Sequence, residues 1–210
     1  MGIKMKMKYL TIILLFLSVN LFAQDFLGIL SYNTAMPVSK SADYISEVSW
    51  KGFSFEGRTF SSRHWTFGGM FGWNIFDTKI TDLIVIDDET TGTAVKGTQI
   101  RYTNSFPMMV NGHFYIGKKR STLRPYFGVG IGTYYIIQRF EIGVFQREVS
   151  NWHFGLAPEV GFLLALSRST SLIVSAKLNY AFSSGKTVYG DTDNTQSYIG
   201  LNVGLAFSGY

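Results

Sequence analysis

The sequence predicts an all-β chain: an eight-stranded antiparallel up-and-down transmembrane β-barrel that follows an N-terminal signal peptide. Three observations predict it. The first is the stretch from Arg124 to Ile137. Read in steps of two, Phe127, Val129, Ile131, Thr133, Tyr135 and Ile137 fall on one face, and Tyr126, Gly128, Gly130, Gly132 and Tyr134 on the other. About 9–11 residues of tilted strand span a bilayer, and this run exceeds that length. The second is that eight such runs can be counted, and single-chain bacterial barrels use an even number. The third is that short and long connections alternate between the runs, as turns and loops do on the two sides of a membrane.

Composition bounds the answer further. Aromatic residues are 16% of the 210, with 22 glycines and only 4 prolines. That mixture suits strands with aromatic girdles better than a helical bundle. Charged residues are 16%, below the roughly 25% of soluble domains. Cysteine is absent, which excludes a disulfide framework, a zinc-thiolate site and a thiol nucleophile. The formal charge of +5 includes Lys4, Lys6 and Lys8; without those three it is +2 (5 − 3). So small an excess gives no argument for a nucleic-acid partner.

Residues 1–23 read as a secretory signal peptide, and 24–210 as one barrel domain. Lys4, Lys6 and Lys8 form the positive region, Tyr9 to Val19 the apolar region, and cleavage is expected after Ala23. The first strand-like run is Leu27–Met36. The second, Val48–Phe60, sets Phe53, Phe55, Gly57 and Thr59 against Ser54, Glu56 and Arg58. The third, Trp65–Phe76, alternates Trp65, Phe67, Phe71, Trp73 and Ile75 with Thr66, Gly68, Met70, Gly72 and Asn74. The fourth, Thr98–Gly117, sets Ile100, Tyr102, Phe106, Met108, Val110 and Phe114 against Arg101, Thr103, Ser105, Asn111, His113 and Tyr115. Pro107 inside it implies a local break or bulge. The fifth is the Arg124 stretch, the sixth Trp152–Leu166, the seventh Ser171–Ser183 and the eighth Ser197–Phe207.

Ser61–His64, Lys118–Leu123 and Ser167–Thr170 are short connections. Pro37–Glu47, Asp77–Gly97, Gln138–Asn151 and Ser184–Gln196 are long. This pattern puts both termini on the short-turn, periplasmic side. A soluble lipocalin is also an eight-stranded up-and-down barrel, but it carries its apolar set inside. Here the larger face is aromatic throughout and the smaller one holds glycine and isolated charges, which favours lipid outside.

The signal peptide, the eight runs and the aromatic last strand resemble small outer-membrane barrels of the OmpA/OmpX/OmpW kind. Trp50-Lys-Gly-Phe-Ser-Phe-Glu-Gly-Arg58 is similar to Bacteroidetes-type outer-membrane β-barrel domain proteins. In such families the last strand carries an assembly signal, and Tyr198, Gly200, Val203 and Leu205 match it. The chain departs by running on to Phe207 and Tyr210. The resemblance implies an integral outer-membrane protein inserted by the barrel-assembly machinery, in contact with outer-membrane lipid and lipopolysaccharide, and monomeric. It speaks for architecture and names no activity.

Candidate functional residues come from the smaller face. Glu56, Arg58, Arg101, Arg124, Glu159 and Lys177 are expected to point inward. They form either a selectivity network in a narrow channel or an ion-pair plug. Eight strands leave an interior just wide enough for side chains, which favours the plug. Glu159 and Lys177 lie nine residues either side of residue 168, so an antiparallel hairpin sets them nearly opposite, with Arg58 or Arg101 able to join from the other wall. His64, His113 and His153 fall too far apart for a catalytic dyad, and an enzyme with its site at the rim has the least support. No residue pattern points to a cofactor. Asp77, Asp82, Asp87, Asp88 and Glu89 match no calcium-loop spacing. Leu83, Ile84, Val85 and Ile86 are an apolar strip in an expected loop, read as a strand extension and as an edge for a surface or envelope protein partner.

Overall fold

Alternation with a period of two makes each run a strand, and the strands close into a single ring. The computed structural model describes residues 26–85, 94–118, 121–143 and 145–209. The signal-peptide residues lie outside that range. The elements are β1 (Phe26–Pro37), a short helix α1 (Lys40–Tyr44), β2 (Lys51–Phe60), β3 (Trp65–Val85), β4 (Ala94–Tyr115), β5 (Leu123–Ile142), β6 (Phe145–Ala165), β7 (Thr170–Ala181) and β8 (Gln196–Gly209). Each strand pairs antiparallel with the next, and β8 closes on β1 from Phe26↔Gly209 to Pro37↔Tyr198. Closure leaves no sheet edge within the lipid-facing band, as a bilayer demands.

The registers fix how the ring is sheared. From Ala35 a row of paired residues runs through Gly200, Lys177, Glu159, Gly128, His113 and Thr66 to Phe60. Phe60 lies one position beyond the Thr59↔Phe26 pair. A row begun at Ala35 therefore returns to β1 ten residues lower (35 − 25). Such a stagger tilts the strands, typically by 35–45°, and sets the diameter.

The outer face is apolar from the lower aromatic belt to the upper one. An upper belt of rings runs Phe53, Trp73, Phe106, Tyr135, Trp152, with successive centroids 5.7, 5.6, 6.2 and 4.9 Å apart. A lower belt includes Trp65, Phe114 and Phe127, with centroids 5.1 and 5.4 Å apart. Between the belts lies an aliphatic row, Val110, Ile131 and Leu156, whose backbones pair side by side. Val110 is 71% exposed while His113 on the same strand is 1% exposed. An apolar exterior over a polar interior is the inverse of a soluble barrel and fits lipid.

Three expectations about element boundaries need correction. Gln138–Asn151 is not a loop, and Asp77–Gly97 is, over its described residues, the expected strand extension along run four. β3 and β4 stay paired as far as Val85↔Ala94, and β5 and β6 as far as Ile142↔Phe145. These segments rise above the upper belt, where outward residues such as Lys79 and Arg139 are polar while inward ones such as Thr78, Gln99 and Gln138 stay buried, so their polar residues do not mark a turn. Run two begins at Lys51 rather than Val48. Above Tyr32↔Phe53 the next bridge is Ala35↔Ser49, one residue out of step, and Trp50 is thrown outward. Pro107 breaks the ladder without a bulge: pairing to β3 lapses between Phe71↔Met108 and Asn74↔Ser105, yet the count on both strands is equal. Pro158 interrupts β6–β7 in the same way, between Leu156↔Tyr180 and Glu159↔Lys177. Each proline lacks an N–H on its unpaired side and keeps its place in the other ladder.

The low side of the rim is closed by chain. The Val38 amide donates to the Ser197 carbonyl and the Ser197 amide to Ser41 Oγ, at 3.0 and 2.7 Å. Lys40 pairs with Asp193. The Tyr44 hydroxyl reaches across the mouth to donate to the Arg139 carbonyl at 2.8 Å. Beneath, Ala35, Ile45, Phe76 and Tyr198 form an apolar layer under the mouth.

Candidate functional site

The row Thr66, His113, Gly128, Glu159, Lys177, Gly200 crosses the interior wall as an inclined line of paired residues. One of its two glycines, Gly128, makes room for a ring. A Cβ on Gly128 would meet the His113 ring at 2.3 Å, so the missing side chain is the socket for that ring. Gly155 does the same for Tyr134, whose Cε2 would lie 2.6 Å from an added Cβ. The inward glycines at these two positions are filled by neighbours rather than left as open space.

Glu159 and Lys177 sit directly opposite on β6 and β7, and Lys177 Nζ is 3.0 Å from Glu159 Oε2. Across the lumen, Glu56 and Arg58 are two apart on β2 and share its inner face. Arg58 holds Glu56 with two bonds, Nε to Oε1 at 2.8 Å and Nη2 to Oε2 at 3.0 Å. Its Nη2 also lies 3.3 Å from Glu159 Oε1, which joins the two walls. Tyrosines complete the set: Arg58 Nη1 donates to Tyr115 Oη at 2.7 Å, and Tyr126 Oη donates to Glu159 Oε1 at 2.6 Å. Asn111 Nδ2 donates to Glu56 Oε1 at 2.8 Å. His113 Nε2 stands between the carboxylates, 3.6 Å from Glu56 and 3.5 Å from Glu159.

Two carboxylates face two cations, so the charges cancel. Arg58 has no exposed side-chain surface, and Glu159 and Lys177 are 4% and 7% exposed. Charges this deep persist only when paired and hydrogen-bonded. The cluster ties strands β2, β4, β5, β6 and β7 across the lumen, and apolar side chains pack beside it: Leu27, Ile29, Leu163 and Ile173.

Arg101 and Arg124, expected in the same network, are elsewhere. Arg124 sits at the short-turn end, with its guanidinium carbon 5.0 Å from the Phe60 ring and 4.6 Å from the Tyr115 ring, and it donates to the Arg63 carbonyl. Arg101 sits at the mouth, donates to the Tyr44 carbonyl at 2.9 Å, and lies 5.4 and 5.7 Å from the Tyr44 and Tyr189 rings. Their inward parity follows from the sequence; their height does not. His113, Tyr115, Tyr126 and Asn111 were the cluster members sequence reasoning missed. Alternation puts all four on the inner face, but only inter-strand register brings them to the level of Glu159.

The remaining candidates fall as follows. Tyr198 points inward and accepts from Asn74 Nδ2 at 3.2 Å; Gly200 is inward beside Lys177, and Val203 and Leu205 face outward. Leu83, Ile84 and Val85 belong to β3 and pair with Lys96, Val95 and Ala94; Ile86 lies outside the described residues, as do Asp87, Asp88 and Glu89. Asp77 pairs with Lys51 at 2.8 Å. His64 and His153 each set Nδ1 2.9 Å from a backbone carbonyl, of Tyr115 and Phe182. Among the described residues no three histidine or carboxylate side chains are grouped to hold a metal ion.

Neither a protein-family model nor a curated protein matches the sequence. Solved structures do. The Neisserial surface protein A is 13% identical over 87% of this chain and 96% of its own, with a TM-score of 0.50. The outer membrane protein OprG from Pseudomonas aeruginosa is 12% identical over 90% of this chain and 97% of its own, also at 0.50. The chain has the fold of a small eight-stranded outer-membrane β-barrel.

Proposed function

We propose that the protein is a plugged, non-conducting barrel of the outer membrane that serves the envelope or cell surface through its rim rather than through a pore. The ion-pair cluster across the lumen carries this reading. Space also narrows toward it. A vestibule of about 450 Å³ lies in the mouth; below it are cavities of about 20 Å³ beside Phe76 and Tyr198 and about 10 Å³ beside Lys177 and Asn202. The last two hold about one water each, too little for a hydrated ion or a solute. In this reading both termini are periplasmic and the mouth faces outward. The last strand carries the assembly signal at Tyr198, Gly200, Val203 and Leu205, and the belts contact lipid and lipopolysaccharide.

Two measurements test it. In planar bilayers the refolded protein is expected to show no discrete conductance steps, and steps in the wild type would favour the narrow-channel reading. On intact cells a cysteine at Thr192, in the mouth loop, is expected to react with an impermeant maleimide, while one at Ser167, in the β6–β7 turn, is not. The reverse pattern would invert the orientation.

A further inference from the structure

On the reading of a membrane-spanning barrel with periplasmic short turns, we infer that the short-turn face docks on the anionic headgroups of the phospholipid leaflet it meets. The first observation is a charge asymmetry in the sequence. No Asp or Glu occurs in 57–76, 90–140 or 160–190, the stretches that contain the three short turns. The same turns carry Arg63, Lys118, Lys119, Arg120 and Arg168, and Arg124 opens β5 beside them. Asp25, one residue ahead of β1, is the one acid that the sequence sets against these six cations at this end. Lys119, Arg120 and Asp25 lie outside the described residues. A surface of one sign draws ions of the other.

The second observation is that the turns form one floor. The Tyr115 amide donates to the His64 carbonyl and the Ala165 amide to the Thr122 carbonyl, both at 2.7 Å. These bonds tie the three turns into a single surface. Arg124 adds a third tie by donating to the Arg63 carbonyl. It is 5% exposed, yet among the described residues no carboxylate pairs with it; the Phe60 and Tyr115 rings and that carbonyl are its partners. A charge this deep normally meets an opposite one. Arg63 and Lys118 stand exposed on the same floor. Depth selects lipid as the source of the anion. Trp65 of the lower belt is two residues from Arg63, and Phe127 is three from Arg124. On tilted strands that places the cations roughly 5–8 Å beyond the belt, the thickness that headgroups add to each side of the hydrocarbon core. Lipid already surrounds the belts, so its phosphates meet the floor without a further encounter.

The test is fluorescence quenching by brominated lipid in vesicles that mix phosphatidylcholine with phosphatidylglycerol. Trp65 is the one tryptophan of the lower belt; Trp50, Trp73 and Trp152 lie at or above the upper belt. A variant that keeps only Trp65 reports the short-turn rim, and one that keeps only Trp152 reports the mouth rim. At Trp65 brominated phosphatidylglycerol is expected to be preferred about fivefold over phosphatidylcholine, the effect of one basic side chain near an anionic surface. At Trp152 the two lipids should quench alike. Arg63→Gln with Lys118→Gln should roughly halve the Trp65 preference, while Arg63→Lys with Lys118→Arg keeps it. No preference at Trp65, the same preference at Trp152, or no change in the glutamine variant would overturn the inference. Inorganic phosphate, added at constant ionic strength, should leave the preference in place; its loss would assign the floor to free phosphate instead. Absence of quenching by either lipid would count against the bilayer placement itself, whereas equal quenching by both overturns only the headgroup docking. Where the single-tryptophan variants fail to refold, the urea midpoint of the chain with all its tryptophans replaces them. Phosphatidylglycerol should raise that midpoint for the wild type and less for Arg63→Gln with Lys118→Gln, and equal shifts would overturn the inference.

Discussion

Glu159→Gln is expected to destabilise the barrel by about 3–5 kcal/mol, the range for breaking a buried ion pair from one side. The carboxylate accepts from Tyr126 and faces Lys177, Arg58 and His113 at once. Removing its charge leaves two buried cations against Glu56 alone. Lys177→Met should cost a similar amount for the opposite reason, since Arg58 then faces two carboxylates. The double variant keeps a balanced Glu56–Arg58 pair with its two bonds intact. Its cost should therefore fall well below the sum of the single changes. Urea unfolding of refolded protein, run as a double-mutant cycle, gives all three numbers. Strict additivity would mean that Glu159 and Lys177 do not interact and that the plug is not an electrostatic unit. Conductance of the single variants separates stability from gating: a barrel that opens when one charge goes would conduct where the wild type does not.

Ile131→Arg carries the second large effect. Ile131 is outward on β5, 48% exposed, and midway between Phe127 of the lower belt and Tyr135 of the upper. Its neighbours across the ladders are Val110 and Leu156. A charge at the bilayer midplane of such a barrel costs about 2–4 kcal/mol, falling to about 0–1 near the interfaces. Phe127→Arg is the matched control, four residues lower and at the belt. Equilibrium unfolding in liposomes should show the large cost for Ile131→Arg and the small one for Phe127→Arg. Equal costs would mean that the band between the belts is not the centre of the bilayer.

Which face a side chain takes was legible in the sequence; how high it stands was not. A strand has a period of two, so Glu56, Arg58, Arg101, His113, Arg124, Glu159 and Lys177 could all be assigned inward from alternation alone. Height needs the register between strands. For Glu159 and Lys177 the short turn supplies it, because residues equally far from the turn face each other. For Arg58 across the lumen nothing local does. Arg101 and His113 share β4 and its inner face, yet twelve residues separate them, roughly 40 Å along the strand at 3.3 Å per residue. One is at the mouth and the other in the plug. The strand ends above the upper belt were illegible for a related reason. Apolar alternation is imposed by lipid on one side, and Asp77, Lys79 and Arg139 stand where lipid no longer imposes it.

The lapse in pairing at Pro107 falls where β3 and β4 pass the upper belt. From Trp73 to Val85 the β3 strand continues for twelve residues, roughly 40 Å along its tilted course. That is a lever arm, and its foot is the one place where backbone bonds to β4 are missing. Side chains stand in for them: the Trp73 and Phe106 rings stack at 5.6 Å, and Trp73 Nε1 donates to Asn104 Oδ1 at 3.1 Å. β4 itself stays bonded to β5 past the lapse, without a break from Tyr115↔Tyr126 to Gln99↔Ile142, so a load on the arm passes sideways into β5 while the indole clamp spans the gap to β3.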